Sequence, residues 1–310
     1  MNTPSHAVPE SAVDSRGTPP AVLSHTRPLY WSIRRELWEY RSLYLAPLAI
    51  AGVILLGLLC LLPRLPHTMR NAMALDPMHQ RQAFAQPYDI SAGLIMGAAF
   101  IVSIFYSLDA LYGERRDRSI LFWKSLPVSD LTIVLSKASI PLLVLPVIAF
   151  VITVLTESIM LLLSSVVLLA NGLSVATLWR QLELYQIMLQ LLYHLVTIHM
   201  LWYAPLYAWL LLISAWARRA PFLWAALPPF GLYIFEKTAF HTSHFINFLN
   251  YRVSGGMEAV NTMQGNLPLE PGLHLTPGLF LATPGLWLGL VFAALVLVAA
   301  ARLRRYRAPI

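Results

Sequence analysis

The chain has 310 residues, 57% hydrophobic and only 12% charged, with a formal net charge of +7 and a mean hydropathy of +0.62. Soluble domains carry about 25% charged residues, so the balance points to a polytopic membrane protein. The positive charge is spread between apolar runs rather than gathered on one stripe. That argues against a nucleic-acid partner and for basic residues that set topology beside anionic lipid.

Residues 1–28, with Pro4, Pro9, Pro19 and Pro20, lack the apolar stretch of a cleavable signal and read as a disordered cytoplasmic tail. Next comes PLYWSIRRELWEYRSLY (28–44). Leu29, Ile33, Leu37, Trp38 and Tyr44 fall near one helical face, and Arg34, Arg35, Glu39 and Arg41 fall largely elsewhere. This is the pattern of an interfacial amphipathic helix, or alternatively of a cytoplasmic extension of the first span.

Six apolar stretches follow, at about 43–63, 90–112, 138–169, 184–217, 221–240 and 284–303. A helix needs about 20 such residues to cross the hydrocarbon. The first contains Cys60; a single cysteine excludes an intrachain disulfide and a cysteine-cluster metal site. The fourth is too long for one perpendicular crossing and must tilt, bend at Pro205 or protrude. The fifth is interrupted by Pro228 and Pro229 and is expected to kink or break. The 64–89 connection, with Met69, Met73, Met78 and Arg70, is expected to form a short external helix.

Six spans with the N-terminus inside put sixteen of the 22 basic residues on the cytoplasmic side. Arg115, Arg116, Arg118, Lys124 and Lys137 fall in the loop 113–137, and Arg302, Arg304, Arg305 and Arg307 at the C-terminus. In that loop, Gly113 is a plausible stop for the second span. Glu114 and Arg118 stand at i,i+4, and Ile120 and Trp123 share a face as an apolar knob. Pro127 ends the short helix, and Ser129 or Asp130 can cap the third span. A solvated positive-inside connector is the plainer reading of the same loop.

The run Tyr-Gly-Glu-Arg-Arg at 112–116, continuing to Ser-Ile-Leu and then Ser-Leu-Pro-Val-Ser before the third span, resembles the permease subunits of ABC-2 type ABC transporters. The resemblance implies an all-α polytopic fold: an amphipathic helix, then six transmembrane helices in the type V exporter-like architecture, over residues 29–310. It implies a bacterial inner-membrane exporter whose loop after span two is a coupling helix, with Glu114, Arg115, Arg118, Ile120 and Trp123 docking on an ATP-binding subunit. The partners it implies are two copies of that subunit, a second permease copy and membrane lipid. The chain has no G-x-x-x-x-G-K-[ST] motif, so no cofactor is expected on it, and ATP and Mg²⁺ belong to the partner. It is not expected to be an enzyme by itself. Spans two and five usually line the path, which nominates Ser103, Tyr106, Ser107, Tyr233 and Phe235. The pairs Gly93/Gly97 and Gly285/Gly289 can serve close packing within the chain or between copies.

Intramembrane charge is costly and singles out two acids. Asp109, near the inner end of span two, can pair with Arg115, Arg116 or an N-terminal arginine. Glu157, in the outer third of span three, can bond Thr153 and Thr156 and is either a functional group or a buried structural pair. An intramembrane enzyme, or an ATP-independent membrane protein built around Glu157, is the rival class. His194 and His199, five apart, lie roughly 140° apart on an α-helix and do not make a two-ligand face. His241 and His244 lack a third ligand. Glu236 and Lys237 are expected to snorkel at the outer end of span five. The loop 241–283 is expected to be external, with HTSHFINFLNY dipping into the outer leaflet.

Overall fold

A computed structural model describes residues 26–125, 128–182, 184–253 and 277–306. Of the expected tail 1–28, residues 1–25 lie outside these residues and 26–28 begin a helix; the stop at Pro127, the centre of the 241–283 loop and Arg307 also lie outside them.

Among the described residues the fold is all helix. Helix α1 (Thr26–Glu39) ends before the first long helix, α2 (Ser42–Leu61), which continues through a 3₁₀ turn into α3 (Leu65–Met73). Tyr40 and Arg41 separate α1 from α2, so α1 is its own element rather than an extension of the first span. Helix α4 (Pro77–Arg116) runs 40 residues, about 60 Å at 1.5 Å per residue, or twice the hydrocarbon thickness. The expected stop at Gly113 is therefore corrected. Gly113 lies inside α4, where a Cβ would come within 3.3 Å of the Asp109 carboxylate. The helix ends at Arg116, with Asp117 as its C-cap just before Arg118 turns left-handed at φ 58°. The short helix α5 (Ile120–Ser125) follows.

Helices α6 (Asp130–Ser139) and α7 (Leu145–Ala170) join through a π-helical stretch, Ile140–Val144. Pro141 lies in that stretch and has no N–H for the α ladder, which the wider π turn accommodates. The Ser129 hydroxyl caps α6, accepting from the Thr132 amide at 3.1 Å. Then come α8 (Val175–Leu182), α9 (Leu184–His194), a second π stretch (Leu195–Trp202) and α10 (Ala204–Trp216). The anticipated long fourth span is thus broken at Tyr203, one residue before α10, with Pro205 in the first turn of α10 where its missing N–H costs nothing. Helix α11 (Pro221–Ala239) carries Pro228 and Pro229 without a break. Helices α12 (His244–Val253), α13 (Pro277–Ala282) and α14 (Pro284–Tyr306) complete the order.

Among the described residues five helical runs are long and apolar enough to cross a bilayer: Ser42–Met73, His79–Arg116, Asp130–Ala170, Leu178–Trp202 and Pro284–Tyr306. The chain is an all-α, multi-pass membrane protein. Its core lies between α2, α4 and α7, with α10 packed on α4 and α14. Outward faces stay oily, as at Val53, Leu56, Leu162 and Leu295. Helix α11 buries no residue and presents Phe222, Leu227, Phe230 and Phe235 outward.

At the end of the bundle where α12 sits, Trp202 Nε1 donates to the Arg252 carbonyl at 2.9 Å and Tyr203 Oη to that of Val253 at 2.8 Å. The Arg252 guanidinium lies 4.5 Å from the Trp202 ring centre and donates to the Gly285 carbonyl. A Cβ at Gly289 would collide with that guanidinium, and one at Gly285 would press on Tyr251. The Gly285/Gly289 pair therefore serves packing within the chain. Gly93 and Gly97 are different, since nothing lies within 4 Å of a Cβ built on either. Glu236 does not snorkel. Its carboxylate caps α12, accepting from the His244 and Phe245 amides at 2.6 and 2.8 Å and from the Thr242 hydroxyl at 2.7 Å.

Candidate functional site

Four chain segments that are far apart in sequence meet at the charged end of the bundle. Glu36 lies on the inward face of α1, between Ile33 and Leu37, which pack on the core. Lys137, near the end of α6, reaches Glu36 at 2.8 Å and Glu114 at 3.2 Å. Glu114, in the last turn of α4, also takes the Arg304 guanidinium of α14 at 2.9 Å. Arg304 in turn donates to Asp130, the first residue of α6. The Tyr106 hydroxyl donates to the other Glu36 oxygen at 2.8 Å. Glu36, Lys137, Glu114 and Arg304 are all buried. A buried charge is tolerated only when paired and hydrogen-bonded, and here each acid and each base has an opposite partner. The lattice fixes α1, α4, α6 and α14 to one another.

Arg115 extends the joint to α10. Its guanidinium donates to the Ser214 carbonyl at 3.1 Å and to that of Ala217, at the end of α10 where carbonyls lack helical partners. The Ser214 hydroxyl accepts from the Leu111 and Tyr112 amides at 3.0 and 2.9 Å. Asp109 pairs as anticipated, with Arg116 at 3.8 Å, and also accepts from the Tyr40 hydroxyl at 3.1 Å. Burial and the neighbouring Asp109 and Glu36 carboxylates push the Tyr40 hydroxyl well above the usual phenol range, so it stays a donor.

Helix α5 sits on this base. Ile120 and Trp123 share a face, but that face points inward. Trp123 is only 9% exposed, and the Arg35 guanidinium of α1 stacks 4.3 Å from its ring centre. The expected Glu114–Arg118 pair is corrected. Arg118 stands past the end of α4 in left-handed geometry, and Glu114 is committed to Lys137 and Arg304. The outward side of α5 carries Leu121 and Phe122, 57% and 62% exposed, with Arg116, Arg118 and Lys124 exposed around them.

The nominated path residues divide. Ser103, Tyr106 and Ser107 are buried inside the protomer, and Ser107 donates to the Ser103 carbonyl at 2.7 Å. Phe235 is exposed on α11 and Tyr233 half-buried. Thr153 and Thr156 do not bond Glu157. Both donate back to carbonyls four residues earlier, Ala149 and Ile152. His194 and His199 do come together, their ring centres 5.8 Å apart, because the π stretch between them brings residues five apart onto one face. Among the described residues no group of three His, Cys, Asp or Glu side chains could hold a metal.

Sequence reasoning did not single out Glu36, Lys137 or Arg304 as a unit. One signal was present: a glutamate between Ile33 and Leu37 on the apolar face of α1. No family model, no curated protein and no solved structure matches the chain.

Proposed function

We propose that the chain is the membrane-spanning permease subunit of an ATP-driven transporter of the ABC-2 type, an exporter of a bacterial inner membrane, working as two copies with two separate ATP-binding subunits. The observation that carries this reading is the mount of α5. A six-residue helix with Leu121 and Phe122 turned outward stands on a buried ionic joint that touches α1, α4, α6 and α14. A loop that only linked two spans would not need such a base. Force applied at α5 would pass into several crossing helices at once.

The docking surface is then Leu121 and Phe122, ringed by Arg116, Arg118 and Lys124, and it suits a groove with an apolar floor and acidic rim. Glu114, Arg115, Ile120 and Trp123 act from behind, by holding that surface in place. The sixth crossing is α11. Trp224 near its start meets Trp216 edge-to-face, ring centres 4.8 Å apart, beside the charged end, and Glu236 near its finish caps α12 at the opposite end. Its 19 residues span about 28 Å, close to the hydrocarbon thickness. With α11 crossing, both ends of the described chain lie on one side, the cytoplasmic side by the basic-residue count. The outward aromatic face of α11, including Phe235, and the open Gly93/Gly97 face of α4 are the surfaces available to a second copy.

Affinity purification of the tagged chain from its native membranes in mild detergent tests the reading. The expected result is a co-eluting protein with a P-loop and ATP hydrolysis, both lost in a Leu121→Glu/Phe122→Glu variant of normal yield. Preparations of wild type with no ATP-hydrolysing partner would overturn it.

A further inference from the structure

Glu157 is fully buried in α7, and neither of its carboxylate oxygens has a hydrogen-bond partner. Asp89 of α4 lies within electrostatic reach of it, and Asp89 Oδ1 is also buried without a partner. The two acids match in depth. Asp89 stands as far before Arg116, the end of α4, as Glu157 stands beyond Asp130, the start of α6. Both belong to the half of the bundle away from the charged joint, where α3 and α8 pack over α4 and α7.

No cation among the described residues bonds to Glu157, and Arg81, the half-buried arginine of α4, stands about two turns before Asp89. From α4 the groups beside the pair are Asp89 itself and Tyr88, a phenol near Glu157. Arg64, His67 and Arg70, at the end of the α2 run and on α3, and Arg180 on α8 are exposed. The nearby threonines on α7 already donate to their own helix. Two carboxylate anions facing each other here would be desolvated, unpaired and mutually repelling. A metal ion would need further oxygen or nitrogen ligands, and among the described residues no third acid or histidine joins the pair. The ligand that removes the repulsion within the pair with what is present is a proton shared between the two carboxyls.

We propose that Glu157 and Asp89 form an intramembrane proton-binding site between α4 and α7. With the proton held on Glu157, the two helices close over a carboxylic acid beside a single carboxylate, the half-buried Asp89. On its release, like charges face each other across the same contact and favour separation of α4 from α7. The site stands independently of any ATP-binding partner.

Infrared spectroscopy of the purified full chain in lipid nanodiscs at neutral pH tests this. The difference between wild type and Glu157→Gln should contain a protonated carboxyl C=O band that shifts on transfer to D₂O. Asp89→Asn should keep that band but displace its frequency. A hydrophobic carbodiimide, which adds to protonated carboxyls, should modify Glu157 in the wild type, as read by peptide mass spectrometry. Glu157→Gln should retain the wild-type melting temperature, since it replaces one neutral group by another. Only carboxylate bands in the wild-type-minus-Glu157→Gln difference would overturn the proposal. A band untouched by Asp89→Asn would overturn the pairing. A large loss of stability in Glu157→Gln would show that an ionised, paired Glu157 had been removed.

Discussion

Replacing Lys137 by methionine probes the joint at its centre. The side chain is 2% exposed and lies 2.8 Å from Glu36 and 3.2 Å from Glu114. At an effective dielectric constant of about 20, those contacts amount to roughly 6 and 5 kcal/mol of gross attraction. Desolvating the ammonium and two carboxylates offsets most of that sum. The variant gains nothing from the offset, because Glu36 and Glu114 stay buried after the lysine is gone. Glu36 keeps only the Tyr106 hydroxyl, and Glu114 keeps Arg304. Removing one partner from a buried pair costs about 3–5 kcal/mol, and that is the expected loss for Lys137→Met. The assay is reversible unfolding in mixed micelles, with the fraction folded followed by tryptophan fluorescence. Adding Glu36→Gln to Lys137→Met should recover part of the loss, since the stranded charge is removed with its partner. A loss under about 1 kcal/mol, the range of exposed pairs, would refute the claim that these charges form a buried, mutually dependent unit.

Other outcomes follow from the same geometry. Trp123→Ala should destabilise the fold by about 3 kcal/mol through lost packing and the lost Arg35 stack, whereas Phe122→Ala should leave the melting temperature unchanged; thermal unfolding in detergent separates the two. Gly289→Ala must displace the Arg252 guanidinium, so Gly289→Ala and Arg252→Ala should each cost about 1 kcal/mol and the double variant little more, which a double-mutant cycle in the same micelles would measure. Gly97→Ala should not destabilise the monomer, because its Cβ meets nothing within 4 Å. In a Cys60→Ala background, an impermeant thiol reagent on intact cells should label Asn250→Cys and spare Ser125→Cys; labelling of Ser125→Cys without lysis would reverse the orientation.

Much of the fold could be read from the sequence because bilayer crossing leaves a local mark. Twenty apolar residues announce themselves wherever they occur, and so did the face of α1 and the Ser129 cap. The joint left no such mark. Glu36 and Lys137 are 101 residues apart, and Glu114 and Arg304 are 190 apart, so no spacing rule connects them. Counted as loop charges, Lys137 and Arg304 looked like topology signals; their burial depends on where four helices meet. Trp123 was legible as an anchor but not in its direction, because the left-handed turn at Arg118 sets which side of α5 faces the bundle. His194 and His199 were separated by assuming 3.6 residues per turn, and a π stretch undid that. The carboxyl of Glu157 stood out by its cost alone, while the absence of a threonine partner depended on rotamers that bond the helix's own carbonyls.

The proposed role of α5 is to be the place where a separate ATPase grips this membrane protein. Placing a photo-crosslinking amino acid at Phe122 in native membranes tests it directly. The expected result is a covalent adduct to a P-loop ATP-binding protein from position 122, and none from the buried position 123. Illumination that links position 122 only to lipid, in membranes where the chain is at its normal level, would contradict it.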